Sequence, residues 1–245
     1  MGSINQKEMK QFVRRILSTP LGLRVYWRHL KKSYVDVRCR EKYGKMGRNI
    51  MLEPPIYFSN QSAVFLDDHV KIRQGFQLIN NSGKFIVGEY SAIAMNCMVV
   101  TGNHRPTVGV PHTILGAYHI NDKETDVVVN EEVWIGVNCT LLPGTVIGRG
   151  AIIGGCSMVN KEIPPYAVAV GSPARVIASV FTIDEILEHE RMIYPPEKRL
   201  TKEYLEELFA THFVGKKAIG MSEMSDADKA VVEEQMAILG IRFDR

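Results

Sequence analysis

Aliphatic residues return every six positions through the middle of the chain. Between Val129 and Ile163 the sequence divides into VNEEVW, IGVNCT, LLPGTV, IGRGAI, IGGCSM and VNKEIP. Val129, Ile135, Leu141, Ile147, Ile153 and Val159 open the hexads. The fifth places are mostly small: Val133, Cys139, Thr145, Ala151, Ser157 and Ile163. Gly or a polar residue fills most second places. Six is no multiple of 3.6, so an amphipathic helix cannot hold this register, but it is three times the strand period of two. Glycine and asparagine punctuation supplies corners. The pattern predicts short strands joined by tight turns and wound into a prism, each unit burying its apolar face against its neighbours.

The frame extends backwards through Met46, Leu52, Phe58, Leu66, Ile72, Leu78, Val87, Ile93 and Val99 in the first place. Ile50, Ile56, Ser62, Val70, Phe76, Ser82, Ser91 and Cys97 take the fifth. The spacing slips after Phe58 and after Leu78. With three strands to a coil, the hexads predict an all-β solenoid of about five coils, stacked at the roughly 4.8 Å spacing of paired strands. The expected organisation is a basic helical cap over 1–45, the solenoid over 46–180 with one long loop at 100–128, and a helical extension over 181–245. Helices are expected over 5–17 and 23–34, from Ile183 to Met192 with Thr182 as cap, from Thr201 onward, and from Ser222 to Gly240.

Charge is uneven. Residues 1–48 carry 13 Lys and Arg against 3 Asp and Glu, within a chain whose net charge is +3. A basic amphipathic leader can mark a membrane surface or nucleic acid; a solvated cap over the solenoid's open end is the favoured reading. Nothing in the chain matches a nucleic-acid-binding motif. No apolar run approaches the roughly 20 residues of a membrane span, and the N-terminus lacks a signal-peptide core, so a cytoplasmic protein is expected. Four cysteines without a CxxC pair fit a reducing compartment, with Cys97 and Cys139 pointing inward.

The repeats are poor in reactive groups. The exception is the excursion between Val99 and Val129, which holds three of the seven histidines: His104, His112 and His119. Long loops on rigid scaffolds concentrate function. His104 stands apart because it directly follows a regular coil, with Asn103 beside it as a polar partner. His112 and His119 are expected on the mobile part of the loop.

The hexads, the loop histidine, VWIG (Val133–Gly136), the run Leu141–Ile177 and the helical tail resemble the hexapeptide-repeat O-acetyltransferases. The nearest group is the galactoside and maltose enzymes, beside the xenobiotic and polysaccharide acetyltransferases. The resemblance implies a left-handed parallel β-helix, a homotrimer with its active site between subunits, and acetyl-CoA as donor without a metal. It implies His104 as general base, and donor contacts at Trp134, Gly136, Gly155, Asn160, Lys161 and Arg175. The acceptor would meet Asn103, Asn81 and Ser82. The galactoside group's sugar-binding carboxylate would fall near Ser82, where this chain has none, and Gln74 replaces a family Asn; the acceptor is then not a galactoside held in the family manner.

The chemistry needs little equipment. A histidine with the ordinary pKa of about 6.5 can take the proton of a saccharide hydroxyl as it attacks the thioester. A backbone N–H can hold the oxyanion. A xenobiotic acceptor is the alternative within the class. From other classes come a zinc hydratase of the γ-carbonic-anhydrase kind, which needs three histidine ligands, and a non-catalytic scaffold. The first is disfavoured because the histidines share one loop, the second because the histidine and the Pro173-Ala174-Arg175 motif are intact.

Overall fold

The computed structural model describes residues 19–221 and 223–239. Three parallel sheets form the faces of a prism. One face stacks Lys45–Met46, Val64–Leu66, Phe85–Val87, Val127–Val129 and Val146–Ile147. The second stacks Met51–Leu52, Lys71–Ile72, Ala92–Ile93, Trp134–Ile135, Ile152–Ile153 and Ala167–Val170, and ends with Arg175–Ser179 running antiparallel. The third stacks Tyr57–Phe58, Gln77–Ile79, Met98–Val100, Thr140–Leu141 and Met158–Val159. Register follows the hexad: Leu52, Ile72, Ile93, Ile135 and Ile153 lie in one ladder. First-place residues are buried from Phe58 to Val159, while Met46 and Leu52, at the starting end, are half-buried.

The corners explain the punctuation. Asn49, His69, Tyr90, Glu132 and Gly150 have positive φ along the edge between the first and second faces. Gly75, Asn96, Asn138 and Cys156 do so between the second and third. A sharp turn recurring once per coil needs a left-handed residue, and Asn and Gly adopt that conformation most readily.

Two fifth-place assignments fail. Ser62 and Ser82 are exposed, and their neighbours Ala63 and Gly83 are buried instead. Both serines sit where the hexad slips, so extra residues bulge outward and the inward place moves by one. The first described helix, α1, spans Pro20–Leu30 with Thr19 as cap, rather than 23–34. Proline fits a first helical turn because its missing N–H would be unpaired there anyway. The helix expected over 5–17 lies outside the described residues. The long loop is not irregular throughout. Gly102–Asn103 pairs antiparallel with Lys123–Glu124, and a short helix, α2, spans His112–Tyr118.

Beyond the last coil, α3 (Ile183–Ile193) starts with Thr182 and Glu185 in a capping box, and α4 (Lys202–His212) is capped by Thr201. The tail helix, α5, spans Asp226–Leu239. A buried polar knot fastens α3 to the solenoid. Glu190, 1% exposed, accepts hydrogen bonds from Arg149, Tyr166 and the Leu200 N–H. Arg149 also lies 4.1 Å from the Tyr194 ring centre. Among the described residues no helix is long and apolar enough to cross a membrane.

Candidate active site

Every break in the repeat falls on the same edge of the prism, where the third face turns back to the first. Val64–Leu66 follows Phe58 after extra residues, Phe85–Val87 follows Ile79 likewise, and Val127–Val129 follows Val100 across the long loop. The three breaks lie in successive coils, so they stack. Together they line a cavity of about 440 Å³ walled by Asn60, Asn80, Asn81, His104, His119, Asp122 and Glu124.

Side-chain amides build its floor. Asn80, 5% exposed, accepts from the Asn60 N–H at 3.0 Å and donates to the Gly83 carbonyl at 3.2 Å. Asn60 donates through Nδ2 to the Asn81 carbonyl. Glu124 ties the returning arm of the loop to this floor. Its Oε2 accepts from the Gly83 N–H at 2.8 Å and from the buried Thr101 hydroxyl. The fit is tight: a Cβ on Gly102 would stand 2.5 Å from Glu124 Oε1, and one on Gly83 would stand 2.6 Å from Thr101 Cβ.

Above the floor, one carboxylate holds two imidazoles. His104 Nδ1 is 2.7 Å from Asp122 Oδ1, and His119 Nδ1 is 2.7 Å from Asp122 Oδ2. The ring centres are 5.8 Å apart. Hydrogen bonds first from His104 and then from His119 hold the Asp122 carboxyl below the usual range. With Nδ1 engaged, the outer nitrogen Nε2 of His104 is left to meet a ligand. It has no hydrogen-bond partner among the described residues, and the ring lies against Gly116 of α2. A carboxylate–imidazole pair with a free Nε2 can accept a proton from a bound hydroxyl and return it to a leaving group.

His119 is therefore beside the reactive pair and not on a separate, mobile part of the loop: the turn after α2 folds it back onto Asp122. His112 opens α2, is exposed and lies outside the cavity. Among the described residues of one chain no three histidines converge as a zinc hydratase would need. His104, His119 and Asp122 do place one ligand atom each within 4.8 Å of one another; both imidazoles meet the carboxylate at hydrogen-bond distance, which an Nδ1–H on each ring satisfies.

Among the residues expected at the acceptor, Asn81 lines the cavity. Ser82 is exposed beside it, and Asn103 faces solvent in the short ladder opposite Lys123. The expected donor residues gather elsewhere. Trp134, 56% exposed, stands out from the second face between Ala92 and Ile152. Gly136 and Gly155 abut at the next corner, where a Cβ on Gly136 would stand 2.6 Å from the Gly155 nitrogen. Asn160 and Lys161 are exposed on the same edge as the His104 loop, two coils further along. Arg175 begins the antiparallel strand and donates to the Ala174 carbonyl. None of these six lines the cavity with His104. Cys97 and Cys139 point inward, each donating its thiol to a backbone carbonyl, Gly136 and Gly154 respectively.

Residues 126–161 match the family described as bacterial transferase hexapeptide (six repeats). The galactoside O-acetyltransferase of Escherichia coli K12 is 29% identical over 160 residues, which cover 62% of this chain and 73% of that protein. A hexapeptide-repeat acetyltransferase of Vibrio cholerae O1 biovar eltor, solved in complex with acetyl coenzyme A, superposes with a TM-score of 0.55 at 19% identity, covering 74% of this chain and 93% of that one. A galactoside acetyltransferase solved with coenzyme A gives 0.53 at 23% identity, covering 78% and 86%.

Proposed function

This chain belongs with the hexapeptide-repeat acetyltransferases, and from that kinship we propose that it moves the acetyl group of acetyl-CoA onto a hydroxyl of a saccharide or saccharide precursor. The observation that carries the reading is the His104–Asp122 pair at the mouth of an amide-lined cavity. Amides and carboxylates arranged around an open cleft suit a polyhydroxylated acceptor, whose many donors and acceptors each need a partner.

In the proposed reaction the Asp122 carboxylate accepts a hydrogen bond from the Nδ1–H of His104, which fixes the proton there and leaves Nε2 as the basic nitrogen. The acceptor hydroxyl gives its proton to Nε2 as its oxygen attacks the thioester carbon. The tetrahedral oxyanion takes a backbone N–H. Collapse breaks the carbon–sulfur bond, and Nε2 returns the proton to the departing CoA sulfur. No covalent enzyme intermediate is used, and no step calls for a metal. His119 shares Asp122, and its other face is turned to the cavity as a hydrogen-bonding wall for the acceptor.

Trp134, Gly136 and Gly155 would take the pantetheine arm, and Asn160, Lys161 and Arg175 the nucleotide end of CoA. Their separation from the His104 cavity supports a homotrimer of left-handed, roughly five-coil prisms in which one subunit's donor edge faces its neighbour's acceptor cavity. Four unpaired cysteines fit work in the cytoplasm. The test is His104→Ala. Acetyl transfer should fall by about 10²–10⁴-fold while the fold and CoA affinity hold. Near-native turnover in that variant would refute the mechanism.

A further inference from the structure

The segment after the first proline carries apolar and aromatic side chains that the other described residues leave uncovered. Leu23, Tyr26 and Trp27 of α1 are 42%, 45% and 63% exposed, and Tyr34, one turn beyond the helix, is 42% exposed. With Leu30 they recur at intervals of three and four, so they share one face of the helix. Trp27, Leu30, Lys31, Tyr34 and Val35 line an almost wholly apolar concave surface. Basic residues flank the face at Arg24, Arg28 and Lys31, and no Asp or Glu falls between Thr19 and Val35. These three cations have no ion-pair partner among the described residues, whereas Lys32 is drawn to the body by the Tyr57 hydroxyl at 3.2 Å.

We propose that α1 and the turn after it dock this protein on an anionic phospholipid surface, lying in the headgroup plane with the Leu23–Trp27–Leu30–Tyr34 face inward. Tryptophan and tyrosine favour the membrane–water boundary, where an apolar ring and a polar edge are both accommodated. Arginine and lysine beside them meet lipid phosphates. A protein partner fits less well, because three cations without an acidic neighbour would need a matching acidic surface. The opposite side of the segment rests on the third face. His29 and Ser33 of the same segment pack beside Tyr57 and Gln77, and the third face continues from there to Ser59, Asn60 and Ile79 at the cavity.

The inference does not depend on the acetyl-transfer reading, and its test uses the intact chain without substrate. Co-sedimentation with vesicles of phosphatidylcholine containing phosphatidylglycerol should capture the protein, and vesicles of phosphatidylcholine alone should not. Replacing Arg24, Arg28 and Lys31 together by Gln should lower partitioning about a hundredfold, at about fivefold per cation. Trp27→Ala with Leu30→Ala should lower it about tenfold or more. Circular dichroism and melting temperature, unchanged in both variants, keep a folding defect apart from a docking defect. Binding that ignores lipid charge, or that survives both sets of changes, overturns the proposal. So does a fall in oligomer mass in the Trp27/Leu30 variant without vesicle binding in the native chain, which would make the face an interface between copies.

Discussion

Asp122 decides what His104 can do. Asparagine at position 122 would keep the size of the side chain but could donate to Nδ1, which would put the ring proton on Nε2 and remove the base. Asp122→Asn should therefore cost roughly a hundredfold or more in turnover with CoA affinity unchanged. A loss of only a few fold, with the native pH profile, would reduce Asp122 to a packing role. His119→Ala should cost less than either, since His104 keeps its partner. Acid should undo the pair in a defined way. The Asp122 carboxyl is held below its usual 3.8 by its two imidazoles. A carboxylate depressed in the folded state stabilises it above the unfolded value, and that contribution is lost as pH falls through the lower, folded value. Protection of the Asn103 and Lys123 amides, relative to intrinsic exchange at each pH, should hold above about pH 4 and fall below it; protection that does not change over this range would contradict the linkage.

Elements meet most decisively where α3 closes the solenoid. Arg149 reaches Glu190 at 3.0 Å and the Lys198 carbonyl at 2.8 Å. Burial opposes the charge on nearby Glu132, yet His189, Tyr194 and Arg149 more than offset it and its pKa is lowered. Burial raises the Tyr194 hydroxyl beside it. Arg149→Met would leave Glu190 buried without its cation, which should cost about 3–5 kcal/mol in chemical denaturation. Adding Glu190→Gln should recover part of that loss. A single-variant cost below about 1 kcal/mol would class the pair with exposed ion pairs. The sequence announces this region only in part. Thr182 and Glu185 give away the start of α3 because a capping box is local. Glu190 reads as an ordinary helical surface charge, because its partner Arg149 is a corner residue of a distant hexad. The early start of α1 was hidden for the opposite reason, since Pro20 and Gly22 look like breakers unless the cap at Thr19 is seen.

At the scale of the whole molecule, the residues expected to hold CoA stand apart from the His104 cavity. Lys161→Ala and Arg175→Ala should each weaken CoA by about 1–3 kcal/mol, the scale of hydrogen bonds to charged groups. Sedimentation should find a trimer at micromolar concentration. If subunits share sites, co-refolding His104→Ala chains with a Lys161→Ala/Arg175→Ala double variant should, at a CoA concentration that saturates only native donor edges, raise turnover above that of either parent, because some sites then pair an intact cavity with an intact donor edge. Mixed trimers as inactive as both parents would put the whole site within one chain.

The sequence alone determined the repeating strands and most of the inward residues, Ser62 and Ser82 excepted, because a six-residue period is read from each hexad and its neighbours without knowledge of anything distant. It also singled out His104, which leaves a regular coil. Only the tertiary structure revealed that the slips after Phe58 and Leu78 and the long loop are one feature. They are about twenty residues apart in sequence and stacked on one edge in space, so Asn60 and Asn80 become walls of the cavity that His104 enters. Asp122 and His119 escaped a linear reading for a related reason. They are brought to His104 by α2 and by the Gly102–Asn103 ladder, which a short excursion without periodicity does not announce. Glu124, likewise, is an ordinary charge in the sequence and becomes a clamp only when Gly83 and Thr101 come within its reach.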